Sequence, residues 1–229
     1  MTTVPDAAVL DALKAVTDPD LGRDIVSLGF VKNLTIVDGQ VSFAIELTTP
    51  ACPVKDQMRD QAQSVVSALD GVTTVNVEMT ASVRSAVSDT EKAPIPGIKN
   101  IIAVGAGKGG VGKTTVSVNL AVALARYGGR VGIIDADVYG PNVPIMLGIE
   151  SQLESDGKKI VPAEKYGIRV VSMGFLTDGD APIIWRGPML HGIVRQFFQD
   201  VLWGELDYLV VDMPPGTGDV ALSLSQTVQ

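Results

Sequence analysis

Residues 105–115 read GAGKGGVGKTT, and the fold follows from how this stretch is read. Gly107 to Thr114 fits G-x-x-x-x-G-K-[ST], the spacing of a phosphate-binding loop. That pattern also occurs by chance, so its flanks decide. The run IIAV at 101–104 feeds it as a strand, and an apolar stretch from Lys113 to Tyr127 leaves it as a helix. Glycines at 105, 107, 109, 110 and 112 let the backbone curl so that its N–H groups point at phosphate oxygens. The helix starting near Lys113 adds its positive end. Gly107, Lys108, Gly109, Gly110, Val111, Gly112, Lys113, Thr114 and Thr115 are therefore the expected nucleotide-binding residues. Lys113 is expected to bridge the β- and γ-phosphates of ATP, and the Thr114 hydroxyl to ligate Mg2+.

Such a loop needs carboxylates for the metal and for water. Asp212 ends the run YLVVD, and Asp135 and Asp137 end and follow VGIID, the strand after the loop's helix. In a parallel sheet these strand ends gather on one edge, beside the loop. Asp212 suits a carboxylate that holds Mg2+ through water. Of Asp135 and Asp137, one can orient the attacking water and the other complete the metal shell. Taken singly, each aspartate is equally readable as a helix cap or loop residue. Lys108 is surplus to the motif. Its position leaves two readings: a solvated loop lysine, or a cation that reaches a nucleotide held by a second subunit, as an arginine finger does.

Outward from the loop, strand-length apolar runs without alternation recur: VGII (131–134), IRVVSM (168–173) and YLVV (208–211). Such runs suit strands covered on both faces. With helical stretches at 113–127 and 189–201 between them, residues 98–229 are expected to form a doubly wound, mostly parallel sheet. Residues 1–86 have another texture and are expected to form a small α/β domain of their own. Val9, Leu10, Leu13 and Val16 recur at helical spacing up to Asp18-Pro19-Asp20. Phe30–Val37 and Val41–Leu47 read as strands joined by an Asp38-Gly39 hairpin. A helix is expected from Pro53 to about Leu69, and a third strand over Val72–Met79. Residues 87–97, VSDTEKAPIPG, carry the polar and proline-rich texture of a linker.

Composition narrows the function classes. The 229 residues are 46% hydrophobic, enough for a sizeable core. A formal net charge of -8 argues against a protein that coats nucleic acid. No apolar run is long enough to cross a membrane, and the N-terminus lacks a basic-then-apolar leader, so a cytoplasmic protein without a membrane partner is expected. The single cysteine, Cys52, excludes an internal disulfide. It precedes the helix expected at Pro53, where a positive helix end favours thiolate; a small buried hydrophobe is the other reading. His191, the single histidine, reads as a packed or surface residue, and Trp185 and Trp203 as packing beside its helix.

KGGVGKTT (108–115), with its extra lysine, resembles the deviant phosphate loop of the superfamily of partition ATPases, division-site ATPases, the nitrogenase iron protein and the Mrp/ApbC iron–sulfur carriers. DADVYGPNVPIMLG (135–148), WRGPM (185–189) and WGELDYLVVDMPPGTGD (203–219) resemble the Mrp/ApbC branch in particular. DPDLGRDIVSLGFV (18–31) and ELTTPACPVKD (46–56) are similar to the small iron–sulfur maturation domain that precedes many of its bacterial members. The resemblance implies a homodimeric ATPase that binds an iron–sulfur cluster and passes it to apo iron–sulfur proteins, alongside other assembly factors. It implies that Lys108 acts across the dimer, that Asp137 helps activate water, that Asp135 and Asp212 belong to the Mg2+ shell, and that Pro214–Asp219 is a nucleotide-sensing switch. It tilts Cys52 toward a reactive thiol. The family's cluster is held by a C-x-x-C pair that falls beyond the equivalent of Gln229, so residues 1–229 read as an incomplete ATPase domain that holds no stable cluster alone. Two rival functions are a partition or division-site ATPase, which would need a basic surface or an amphipathic terminal helix, and a non-catalytic scaffold.

Overall fold

The computed structural model describes residues 4–83, 95–137, 140–150, 154–156, 159–176 and 187–216. The chain divides into two compact units, Met1–Val83 and Arg84–Gln229. Most of the expected linker, 87–94, lies outside the described residues.

In the first unit the elements run α1 (Asp6–Leu13), β1 (Thr17–Asp18), β2 (Arg23–Asp24), β3 (Val31–Val37), β4 (Gln40–Leu47), α2 (Lys55–Ser67) and β5 (Thr74–Ala81). β4 is the middle strand, antiparallel to β3 and parallel to β5. The alternation in β4 buries Val41, Phe43, Ile45 and Leu47 on one face. Against that face lie Met58, Ala62 and Val66, one turn apart along α2, with Val9 and Leu13 of α1. Asp38 and Gly39 have φ of 48° and 79°, the paired left-handed geometry that matches strand twist in a two-residue hairpin. Two expectations are corrected. The first helix stops at Leu13, and Asp18 instead caps a turn, its Oδ1 accepting from the amides of Asp20 and Leu21 at 2.9 Å each. The second helix starts at Lys55, not Pro53. β3 carries a bulge between Lys32 and Thr35, with Asn33 at φ 53°.

In the second unit the order is β6 (Ile101–Val104), α3 (Lys113–Arg126), β7 (Val131–Asp135), α4 (Val143–Leu147), β8 (Glu154–Asp156), β9 (Lys159–Val161), β10 (Ala163–Lys165), β11 (Ile168–Ser172), α5 (Gly187–Gln199) and β12 (Tyr208–Asp212). Five strands form one sheet in the order β10-β11-β7-β12-β6, parallel except for the edge strand β10. The absence of alternation in the apolar runs has a direct cause: the sheet is covered on both faces. Val131 and Ile133 of β7, Val210 of β12 and Ile168 and Val170 of β11 pack with Val118 and Ala121 of α3 and Val143 and Leu147 of α4. Their neighbours Ile134, Val171, Leu209 and Val211 pack the other way, with Phe197 and Phe198 of α5, Trp203 and Leu206. Trp203 completes its burial by donating Nε1–H to the carbonyl of Phe197 at 2.7 Å. On that second face a Cβ at Gly132 would come within 2.8 Å of Leu206 and 2.9 Å of Trp203, so a larger residue there would have to push those side chains aside. The chain is therefore α/β: a small α/β domain followed by a P-loop domain with a mostly parallel, doubly wound sheet.

Candidate nucleotide and metal site

The site grows from the edge where β6, β12, β7 and β11 end. β12 lies between β6 and β7, and its last residue, Asp212, is in register with Val104 on one side and Asp135 on the other. Ser172, the end of β11, is in register with Asp135. The phosphate loop leaves β6 on this edge. Gly110 and Gly112 take φ of 73° and 93°, which a side-chain-bearing residue rarely adopts, and Gly112 is the N-cap from which α3 begins at Lys113. The amides of the first turn of α3 thus face the loop's interior. Lys113 and Thr114 are half-buried, and Lys108 is exposed at the loop's mouth. After β12 the chain folds along the same loop. The amide of Met213 donates to the carbonyl of Val104 at 3.0 Å, and that of Gly216 to the carbonyl of Ala106 at 3.0 Å. Residues 217–219 of the expected switch lie outside the described residues.

The two strand-end aspartates are both buried, yet their oxygens are used differently. Asp135 has no exposed surface. Its Oδ1 accepts from the amide of Asp137 at 3.2 Å, and its Oδ2 from the amide of Val143 at 3.1 Å and the hydroxyl of Ser172 at 3.0 Å. Burial lifts its pKa to about 7 against these hydrogen bonds, with the Asp212 charge adding to the rise. Asp212 is 1% exposed. Its Oδ1 lies 2.8 Å from the hydroxyl of Ser117, whereas its Oδ2 is buried without a hydrogen-bond partner. Burial raises its pKa too; the Thr114 and Ser117 hydroxyls and the Lys113 ammonium pull it down, and Asp137 pushes it up. Lys113, Thr114 and Asp137 thus all lie close enough to Asp212 to act on its charge.

This donor set fits Mg2+. The ion takes one or two protein oxygens, keeps several waters and shares phosphate oxygens. A hydroxyl on the loop and a buried carboxylate oxygen with nothing to accept from would supply the protein part of such a shell. Among the described residues no group of three or more His, Cys, Asp or Glu gathers into a metal cage.

Cys52 lies in the first unit's core, 7% exposed, among the residues that pack between α2 and β4. It is two residues short of the Val54 N-cap, so the helix end expected to activate its thiol lies farther on. The side chain of His191 and all of Trp185 fall outside the description. Two residues were not anticipated from the sequence, Ser117 and Ser172. Both are fully buried, and each holds one strand-end aspartate. The available signal was a lone polar residue inside an apolar stretch: Ser117 between Val116 and Val118, and Ser172 closing IRVV.

Comparison with known proteins places the chain. Residues 97–229 match the family of NUBPL iron-transfer P-loop NTPases, and residues 6–78 match a family of iron-sulfur cluster assembly proteins. The iron-sulfur cluster carrier protein of Synechocystis is 50% identical over 226 residues, which cover 96% of this chain and 64% of that protein. A chloroplastic Fe-S cluster assembly factor of Arabidopsis thaliana is 52% identical over 224 residues, 95% of this chain and 42% of that protein. The chain thus spans less than two thirds of these relatives' lengths. Among solved structures, a nucleotide-binding protein of Archaeoglobus fulgidus in complex with ADP matches with a TM-score of 0.51 and 41% identity, covering 58% of this chain and 51% of that one. The chain thus belongs to the family of iron-transfer P-loop NTPases, its N-terminal residues matching the iron–sulfur cluster assembly family.

Proposed function

We propose that this chain binds and hydrolyses ATP with Mg2+ as a homodimer of the cytoplasm, and that this cycle governs the loading and delivery of an iron–sulfur cluster to apo-proteins. The observation that carries the nucleotide part is the orphaned Oδ2 of Asp212 beside Lys113 and Thr114. In this reading residues 107–115 and the first turn of α3 cradle the phosphates, and Lys113 neutralises the β/γ oxygens. Thr114 and Asp212 hold Mg2+, the latter through water; the ion supplies charge neutralisation on the phosphates. Asp137 orients the attacking water. Asp135 stands beside the metal shell and ties down the loop that carries Asp137. Lys108, exposed and without an ion pair among the described residues, reaches the nucleotide of the second subunit. The cluster is cargo. Common clusters take four protein ligands, usually thiolates. Residues 1–229 contain one cysteine, fewer than such a cluster takes.

Equilibrium ATP binding and turnover test this reading. Lys113→Ala is expected to abolish both; a variant that binds and hydrolyses like the parent refutes the site. Lys108→Ala is expected to keep binding but lose hydrolysis, and its mixture with Asp137→Ala to regain activity through one intact composite site. Heterodimers that form without any such recovery rule out the action of Lys108 across the dimer.

A further inference from the structure

Ser117 occupies a place for which the phosphate-loop motif has no role. It follows Lys113 by one turn of α3, has no exposed surface, and its Oγ lies 2.8 Å from Asp212 Oδ1 and 3.0 Å from the carbonyl of Lys113. A hydroxyl has one proton to donate, and a carboxylate is the stronger acceptor of the two. A carboxylate held at one oxygen has its rotation about the terminal torsion restricted, and that torsion is otherwise broad. The consequence is visible in how the atoms are shared. Oδ1 is engaged, and Oδ2 is the buried oxygen left without a donor. At Asp135 a buried serine does the same at one oxygen, but the amides of Asp137 and Val143 take up the remaining capacity. Ser117 therefore sits at the aspartate that keeps an oxygen in reserve.

We propose that Ser117 is a positioning residue for the metal site: by holding Oδ1 of Asp212 it keeps Oδ2 as the acceptor for water bound to Mg2+. This rests on the Mg2+–nucleotide reading given above. Ser117 touches neither nucleotide nor metal; it acts through Asp212. Loss of an outer partner of this kind typically weakens metal binding about 10- to 100-fold. A hydroxyl that only satisfied a buried carboxylate would leave metal affinity unmoved relative to nucleotide affinity.

The test is calorimetric titration of the chain with ADP, first in EDTA and then at increasing free Mg2+, for the parent and Ser117→Ala. The expected result is an unchanged metal-free ADP affinity and a Mg2+ midpoint raised about tenfold. Should Ser117→Ala fail to fold, Ser117→Cys, which keeps the volume but offers only a weak donor, is read in the same assay. An unshifted Mg2+ midpoint overturns the inference, as does an equal loss of ADP affinity with and without metal. A parent that binds no ADP in either condition refutes the nucleotide site itself, and the positioning role with it.

Discussion

Strand β12 is bracketed by two aspartates, Asp207 before it and Asp212 at its end, and the two ends of this one strand are built on opposite principles. Before the strand's first residue, Asp207 is clasped by cations. Arg130 approaches its two oxygens at 3.1 and 3.0 Å through Nε and Nη2, the Arg130 amide donates at 3.0 Å, and Lys99 adds a contact at 3.0 Å. Those partners hold the Asp207 carboxyl well below the usual carboxylate range, Arg130 contributing most. At the other end, Asp212 and its in-register neighbour Asp135 are served mainly by hydroxyls and amides, and burial moves both pKa values up. One end is closed on itself and stabilises the fold. The other concentrates negative charge in a dry place beside a phosphate loop, which suits a site for cations more than a clasp between strands.

The sharpest way to break this contrast is to remove each aspartate in turn. Asp212→Ala is expected to lower turnover about 100-fold, as loss of a metal-shell partner does, while urea unfolding of the metal-free protein stays at or above the parent's stability. Asp207→Ala should reverse the pattern. Arg130 and Lys99 lose a shared, 7% exposed partner, and about 2 kcal/mol of stability is expected to go, a breakage cost reduced by solvent at the half-exposed Arg130. ATP turnover per folded molecule should be unaffected by Asp207→Ala. Equal stability losses at the two ends would end the distinction.

The same contrast predicts opposite pH slopes in nucleotide-free, metal-free buffer. Asp207 has a folded pKa below its unfolded value of 3.8, so its stabilisation is complete above about pH 4 and fades as the pH falls further. Asp135 has a folded pKa of about 7, above its unfolded 3.8, so its contribution is complete below about pH 4 and is lost as the pH rises toward 7. Denaturant midpoints measured across this range should show the acid limb flattened by Asp207→Asn and the slope between pH 4 and 7 flattened by Asp135→Asn. Unchanged slopes in both variants would refute the assignment. The smallest effect belongs to Lys99→Ala. Asp207 keeps its bidentate partner, and a loss of under about 1 kcal/mol is expected in the same unfolding assay.

The sequence made the strand-end aspartates legible because each closes an apolar run, and such runs in a parallel sheet bring their ends to one edge. It made the loop legible because left-handed φ at Gly110 and Gly112 admits few other residues. It did not reveal the Asp207 clasp, whose members are separated by 77 and 108 positions and share no local pattern. Nor did it show which of Asp135 and Asp212 keeps a free oxygen, since both end strands of the same texture. The helix start at Lys55 in place of Pro53 was missed, and the choice between a reactive and a buried Cys52 stayed open, because local helix signals do not register how the surrounding core packs.

By itself, then, the sequence determined the α/β class, the phosphate loop with its strand and helix, and the strand-end aspartates, because these depend on periodicity and on the backbone freedom of glycine. Tertiary structure alone decided the strand order that sets β12 between β6 and β7, and with it the neighbours of Asp212. It also decided that Ser117 and Ser172 reach those carboxylates, and that Trp203 and Leu206 close tightly over Gly132. These are outcomes of close packing between segments far apart in the chain. Which atoms meet there is set by the whole core rather than by any window of sequence.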